Sequence, residues 1–107
     1  MAFFELREYR MREGQRDTFI KYMDEVVIPF QVSKGMIIVG SFPGETEEDL
    51  WIWVRRFESE EERERLYAAV YESDEWKTRI GPPIGEMIDR SKIFVRRIVP
   101  SPRSIIR

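Results

Sequence analysis

The sequence predicts an α+β fold built from six elements in the order strand, helix, strand, strand, helix, strand. Two stretches, FFELREYR at 3–10 and LWIWVRRF at 50–57, place successive side chains on two faces in the manner of β-strands. Between them, residues 15–32 carry apolar residues at the i, i+4, i+7 spacing of an amphipathic helix. The run Ser-Glu-Glu-Glu at 59–62 forms a capping box, which is typical of the start of a second helix.

Turn residues and caps predict the remaining bounds. Pro29 is expected to kink or end the first helix, because proline removes one donor from the helical hydrogen-bond ladder. The pair Pro43-Gly44 closes the second strand, so the second and third strands form a hairpin. Ser73 is expected to cap a further helical turn that reaches Ile80. The other expected elements are a second strand over 36–42, a short helical piece over 84–88 and a last strand over 91–99.

A chain with this order and short connections folds most simply into one antiparallel sheet with both helices on one face, the ferredoxin-like arrangement. The first and third strands are then expected in the centre of the sheet, parallel to each other. We expect the aliphatic side of these two strands to meet the helices, through Phe4, Leu6, Ile52 and Val54. The opposite side would remain an open face, which carries Glu5, Arg7, Tyr9, Trp51, Trp53, Arg55 and Phe57.

The predicted open face is too apolar to remain in contact with water. Four strands about 4.8 Å apart and about six residues long give a face of roughly 400 Å². A patch of that size is near the largest that monomeric proteins expose. A second copy of the same sheet is the most economical cover, because a two-fold contact needs only one self-complementary surface. The sequence therefore predicts a homodimer through the open sheet face.

Length, charge and hydropathy limit the location and the partners. The 107 residues are expected to form one domain spanning 1–107. The net charge of −2 gives no basic surplus of the kind that nucleic acid attracts, so no nucleic-acid partner is expected. No apolar run reaches the ~20 residues of a membrane span, and the first residues lack the apolar core of a signal peptide. We therefore expect a cytoplasmic protein without a membrane span.

The sequence contains neither cysteine nor histidine. This removes thiolate chemistry, the commonest acid–base side chain and the commonest metal ligand. Ser41 has no histidine to activate it, so a hydrolase triad is excluded, and haem lacks its usual axial ligands. The acidic turn at Glu45, Glu47, Glu48 and Asp49 lacks the spacing and the central glycine of a calcium loop. We expect no cofactor and no metal.

One group of charged and aromatic residues on the two central strands is a candidate ligand site. Glu5 and Arg7 lie two apart on one strand, so their side chains emerge on one face about 7 Å apart. Arg55 projects from the same face of the neighbouring strand. Because burying an unpaired guanidinium costs several kcal/mol, we expect Glu5 to neutralise one of the two arginines. The candidate ligand-binding residues are Glu5, Arg7, Tyr9, Trp51, Trp53 and Arg55.

Two interpretations of these residues are open. In the functional one, the surplus arginine holds a small acidic or phenolate-like ligand against the aromatic rings. In the structural one, the charges form an inter-subunit salt bridge inside an aromatic dimer core. For each charge taken singly the structural interpretation is favoured, because ion-pair networks have the same appearance as active sites.

The segment FELREYRMREGQRDTF at 4–19 resembles the start of the NIPSNAP family, and Glu5, Leu6, Arg7 and Tyr9 match its first strand. Phe4 replaces the tyrosine usual there. The segments WIWVRRFESEEER at 51–63, DEW at 74–76 and PSPRS at 100–104 resemble the same family. The resemblance implies a dimeric α/β barrel, in which two ferredoxin-like sheets pack together. Many relatives carry histidine and tryptophan where this chain has Trp53 and Arg55, so any chemistry of that histidine does not transfer.

The resemblance implies a wide range of functions, because relatives in the superfamily include cofactor-free monooxygenases, small isomerases and haem enzymes. We expect a NIPSNAP-like protein with a small-molecule pocket or a scaffold role. The alternative is a cofactor-independent monooxygenase or isomerase acting on a small aromatic or acidic compound. Neither the ligand nor any catalytic residue follows from the sequence.

Overall fold

The computed structural model describes residues 2–107 and confirms the predicted order of strands and helices. Strand β1 has the predicted bounds, and the last strand begins three residues later than expected because a 3₁₀ turn precedes it. The elements are β1 (Phe3–Arg10), α1 (Arg16–Tyr22), a π-helical turn (Met23–Val27), α2 (Ile28–Ser33), β2 (Ile37–Pro43), β3 (Leu50–Phe57), α3 (Glu60–Tyr71), a second π-helical turn (Trp76–Ile80), α4 (Ile84–Met87), a 3₁₀ turn (Arg90–Lys92) and β4 (Phe94–Ile98).

The four strands form one sheet in the order β2-β3-β1-β4, with β1 and β3 in the centre. All three neighbouring pairs are antiparallel, and Glu5 lies opposite Arg55 while Tyr9 lies opposite Trp51. The expectation that β1 and β3 run parallel is therefore wrong. The helical crossover makes β1 and β2 parallel, and the hairpin then reverses the chain, so β3 must oppose β1.

The helices pack on the face that carries the tryptophans, and the prediction that this face is open is wrong. Trp51, Trp53 and Phe57 are each at most 2% exposed, beneath helical residues such as Phe19 and Leu66. Aromatic side chains bury the largest area per residue, so covering this face removes more apolar surface from water. The aliphatic side of the sheet is the one left without helices.

The first helix runs through Pro29 without ending, because a π-helical turn precedes the proline. In that turn the backbone N–H of Ile28 donates to the carbonyl of Met23, five residues back. Pro29 cannot donate to the ladder, and such wide turns are a usual means of accommodating a missing bond. The turn also shifts the buried stripe, which ends at Gln31 instead of the expected Phe30.

The predicted helix caps are confirmed. The hydroxyl of Ser59 accepts the backbone N–H of Glu62 at 3.1 Å, and the Glu62 carboxylate accepts the N–H of Glu58 at 3.1 Å, one residue further back than a standard capping box. Ser73 likewise accepts the N–H of Trp76 at 3.2 Å and begins the turn that ends at Ile80. This turn brings the indole of Trp76 back over the sheet, where it packs edge-on against Tyr71 at 4.8 Å.

Two arginines form hydrogen bonds to the acidic turn between β2 and β3. Arg10 bonds the carboxylates of Glu47 at 3.3 Å and Asp49 at 3.1 Å. Arg16 donates to the carbonyls of Gly44 at 2.8 Å and Glu48 at 2.9 Å. The acidic side chains therefore connect the hairpin to β1, and its backbone carbonyls connect it to the start of α1.

The side of the sheet without helices is called the uncovered face, and it carries both apolar and charged side chains. Its large exposed apolar side chains include Phe42, at 56% exposure, and Ile98, at 43%. The chain after β4 folds back across one end of it, where the carbonyl of Arg107 accepts a hydrogen bond from Arg56 at 2.5 Å. Apolar residues of the uncovered face are Leu6, Ile37, Phe42, Ile52, Val54, Phe94 and Ile98, and the same register places Glu8, Arg56 and Arg96 on it. No helix within residues 2–107 combines the length and the apolar character needed to cross a membrane.

Candidate functional site

The structure places all six predicted site residues on the helix-covered face, and five of them form two groups. Glu5 and Arg55 lie within a buried network of charges that involves helices α2 and α3. Arg7, Tyr9 and Trp53 line a cavity beside that network. Trp51 belongs to neither group, because its ring packs edge-on against Phe19 at 5.4 Å in the core.

The buried network is centred on the ion pair of Arg55 and Glu5. Their side chains are fully buried, and Nη2 of Arg55 lies 3.1 Å from Oε1 of Glu5. Arg55 also donates to the phenols of Tyr67 and Tyr71, each at 2.7 Å, and to Oε1 of Gln31 at 2.9 Å. The ion pair lies within one protomer, so the predicted inter-subunit salt bridge is wrong.

Glu5 has further partners on α3. Its carboxylate accepts the hydroxyl of Tyr67 at 2.5 Å and Nε of Arg63 at 2.6 Å. Burial raises the pKa of Glu5, but the hydrogen bonds from Tyr67 and Arg63 and the charge of Arg55 outweigh it and hold the pKa below its usual value. Glu5 is therefore ionised and compensated at neutral pH.

The same contacts raise the pKa values of Arg55 and Tyr67. Burial lowers the pKa of Arg55, but Tyr71, Tyr67 and Glu5 outweigh that effect and the net shift is upward. Burial and the contact with Glu5 raise the pKa of Tyr67 to about 12, although the charge of Arg55 lowers it. A cation and an anion with all these partners are a structural unit, and neither has a free charge for a ligand.

The cavity lies between the sheet and the helices and has a volume of about 270 Å³. Its sheet side is formed by Arg7, Tyr9 and Trp53, and aromatic rings of α3 and the following turn face them. Arg90 lies at its border, and no acidic side chain among the described residues lines it. The volume is near the lower end for ligand pockets, so it suits a compound of one or two rings.

Arg7 brings a positive charge without a carboxylate partner to this cavity. Its Nε donates to the hydroxyl of Tyr9 at 3.0 Å, and no carboxylate within residues 2–107 lies in salt-bridge range of it. Burial lowers the pKa of Arg7, but the phenols of Tyr9 and Tyr67 outweigh this effect and raise it above its usual value. Of the two arginines predicted from the sequence, Arg55 is the neutralised one and Arg7 is the surplus one.

Several residues of the network and the cavity were missed in the sequence. Arg63, Tyr67 and Tyr71 lie four residues apart on α3, a spacing that places them on one helix face. That polar stripe was a signal that the helix meets charged groups of the sheet. Gln31 gave a weaker signal, since it continues the four-residue spacing of Val27. No sequence pattern indicated that Trp76 would line the cavity, because its position depends on the turn after α3.

The fold and the cavity define a small α+β protein with an aromatic pocket, bordered by arginine, between its sheet and its helices. The sequence profile of the NIPSNAP family matches residues 4–102. The chain belongs to the NIPSNAP family.

Solved structures share this fold along nearly the whole chain. A NIPSNAP family protein from Agrobacterium tumefaciens has 23% identity and a TM-score of 0.87, with 100% of both chains covered. A second protein of this family and organism, described as of unknown function, has 22% identity and a TM-score of 0.88, with 99% of this chain and 94% of the other covered. A NIPSNAP-like domain protein from Burkholderia xenovorans has 19% identity and a TM-score of 0.85, with 96% and 88% covered. No curated protein matches the chain.

Proposed function

We propose that this NIPSNAP domain binds a small acidic aromatic compound in the cavity between its sheet and its helices. The observation that carries this proposal is Arg7, a cavity-lining guanidinium with no carboxylate partner among the described residues. Arg7 is half-buried, and a charge partly withdrawn from water is more favourable when it is paired, so an anionic ligand would supply the missing partner. The rings of Trp53 and Trp76 provide apolar walls for an aromatic group.

Titration with 2-naphthoate tests this function, because Trp53 and Trp76 line the cavity and their fluorescence reports occupancy. Wild type should bind the probe, and Arg7→Met should weaken binding about tenfold or more, the usual loss for a hydrogen bond to a charged group. Arg65→Met is the matched control, since Arg65 is 69% exposed on α3 away from the cavity. Equal binding by wild type and Arg7→Met would remove the anion-binding role.

The alternative function, a cofactor-independent monooxygenase or isomerase, would use the same cavity. The hydrogen-bond donors in its wall favour stabilisation of an oxyanion in either reaction. The cavity lining within residues 2–107 contains no aspartate, glutamate, histidine or lysine to remove a proton. For this reason binding is the primary proposal, and turnover of an acidic aromatic compound in air, followed by mass spectrometry, is the test of the alternative.

The proposed assembly is a homodimer through the uncovered face, with the two sheets packed as a dimeric α/β barrel. The support is the run of exposed apolar side chains on that face, including Phe42 and Ile98. A two-fold contact would remove this surface from water with no second kind of partner.

Sedimentation equilibrium tests the dimer with one central substitution and one peripheral control. Val54 lies on the uncovered face of the central strand β3, opposite Leu6 of β1 and Gly40 of β2. Val54→Lys would place a charge among these apolar neighbours and should give single chains at concentrations where wild type is paired. Ala68→Lys, on the exposed side of α3, should leave the association unchanged. Single chains for wild type at micromolar concentration would refute the assembly.

A further inference from the structure

The hydroxyl of Tyr9 has a free proton directed to no protein group. Its oxygen accepts two hydrogen bonds, from Nε of Arg7 at 3.0 Å and from Nε1 of Trp53 at 3.2 Å. A phenol has one O–H donor and two acceptor lone pairs. Both lone pairs are therefore occupied, and no acceptor for the O–H is present among residues 2–107.

Tyr71 has the same arrangement on the helical side of the cavity. Its oxygen accepts Nη1 of Arg55 at 2.7 Å and Nε2 of Gln31 at 3.3 Å. The amide of Gln31 cannot be reversed, because its Oε1 must accept from Arg55 at 2.9 Å and a guanidinium only donates. Two donors therefore point at the Tyr71 oxygen, and its own O–H has no acceptor in the described part of the chain.

Tyr67 lines the same cavity and differs in this respect. It accepts Nη2 of Arg55 at 2.7 Å and donates its proton to Glu5 at 2.5 Å. One lone pair of its oxygen remains unused. The hydrogen-bond donors left for a ligand are the O–H of Tyr9, the O–H of Tyr71 and the guanidinium of Arg7, with the guanidinium of Arg90 at the border of the cavity.

We propose that Tyr9 and Tyr71 are specificity-determining residues and that the ligand presents a carboxylate to them. This inference rests on the proposed function and goes beyond it by naming the acidic group. A carboxylate offers two acceptor oxygens and no donor, so it satisfies several donors at once. An amide of the same shape would direct an N–H at the free donors of Tyr9, Tyr71 or Arg7 and would bring no charge to Arg7, so the site favours the carboxylate.

The first test uses wild-type protein and the isosteric pair 2-naphthoate and 2-naphthamide. The carboxylate should bind at least tenfold more tightly than the amide. Equal affinities for the two compounds would overturn the proposal without any variant. This comparison therefore remains decisive if a tyrosine variant fails to fold.

The second test measures the same pair with Tyr9→Phe and Tyr71→Phe. Each variant should weaken the binding of 2-naphthoate about tenfold and reduce the preference of the site for the carboxylate over the amide. Tyr22→Phe is the matched control, because the Tyr22 hydroxyl donates to the carbonyl of Ile80 at 2.7 Å and lies outside the cavity lining.

The two proposals fail in different ways. If 2-naphthoate binds through Arg7 but both tyrosine variants bind it as tightly as wild type, the donor assignment is wrong and the anion site stands. If wild type does not bind 2-naphthoate, the proposed function fails and this inference fails with it.

Discussion

Replacement of Arg55 by methionine should destabilise the protein strongly, although it substitutes an apolar side chain in an apolar layer. The variant would remove the buried partner of Glu5 and the donor that holds Gln31, Tyr67 and Tyr71. Breaking a buried ion pair by removing one partner costs about 3–5 kcal/mol. Glu5 retains Arg63 at 2.6 Å and Tyr67 at 2.5 Å. The loss should therefore fall near the lower end, at about 3 kcal/mol.

Urea unfolding at one fixed protein concentration measures this loss, since any dimer would make stability depend on concentration. A double-mutant cycle with Glu5→Met isolates the pair. The double variant replaces both charges by apolar groups, so it should lose less than the sum of the single variants, with a coupling of about 1–3 kcal/mol.

Arg65→Met is the control for the removal of an arginine as such. Its guanidinium is largely exposed and lies 3.9 Å from Glu62, so the free energy of unfolding should change little. A stability of Arg55→Met equal to wild type, or strictly additive effects of Arg55→Met and Glu5→Met, would refute the argument that the pair is buried and mutually dependent.

Three other predictions concern acid stability, backbone conformation and helix capping. The lowered pKa of Glu5 stabilises the fold above its ordinary value of 4.5, and this contribution is lost as the pH falls through the lower folded value. Glu5→Gln should therefore show a shallower loss of stability with acid, and an unchanged slope would contradict this. Gly35→Ala should lower the midpoint of thermal unfolding more than Gly14→Ala. Gly35 has a φ of +108°, and an added Cβ would lie 3.1 Å from Leu66, whereas Gly14 has a φ of +75° with open space around it. Ser59→Ala should lower the free energy of unfolding by about 1 kcal/mol through loss of the α3 cap, and a loss below about 0.3 kcal/mol would argue against that cap.

The sequence predicted where the strands and helices lie because periodicity is local. The alternation in residues 3–10 and the capping box at Ser59 both depend on neighbours within a few positions, and the structure confirms the strand Phe3–Arg10 and the cap by Ser59. The order of connections also determines the direction of β3 relative to β1, because a helical crossover followed by a hairpin makes these two strands antiparallel.

The covered face could not be predicted from alternation, because both sides of β3 are apolar. The choice depends on which side finds partners across the molecule. Arg55 is tolerated beneath the helices because Gln31, Tyr67 and Tyr71 supply acceptors from positions 12 to 24 residues away. Such matches between distant segments are visible only once the elements are packed.

The candidate site was predicted in part for the same reason. Arg7, Tyr9 and Trp53 share one face of adjacent strands, so strand geometry brought them together. The opposite wall contains Trp76, whose position follows from the path of the turn after α3. No local pattern in the sequence specifies that path.

The buried ion pair has a consequence for how the central strands find their alignment. In most sheets the register of neighbouring strands is specified by burial of one apolar face, because a slip of one residue would move every side chain to the opposite face. Here both faces of β3 are apolar. Hydrophobic burial therefore distinguishes the native register from the slipped one less strongly than in a strand with one polar face. A slip of β3 by one position would turn the Arg55 guanidinium towards the uncovered face. The Glu5 carboxylate would then remain among aromatic rings without this partner. The ion pair of Arg55 and Glu5 therefore adds to hydrophobic burial in specifying the pairing of these strands.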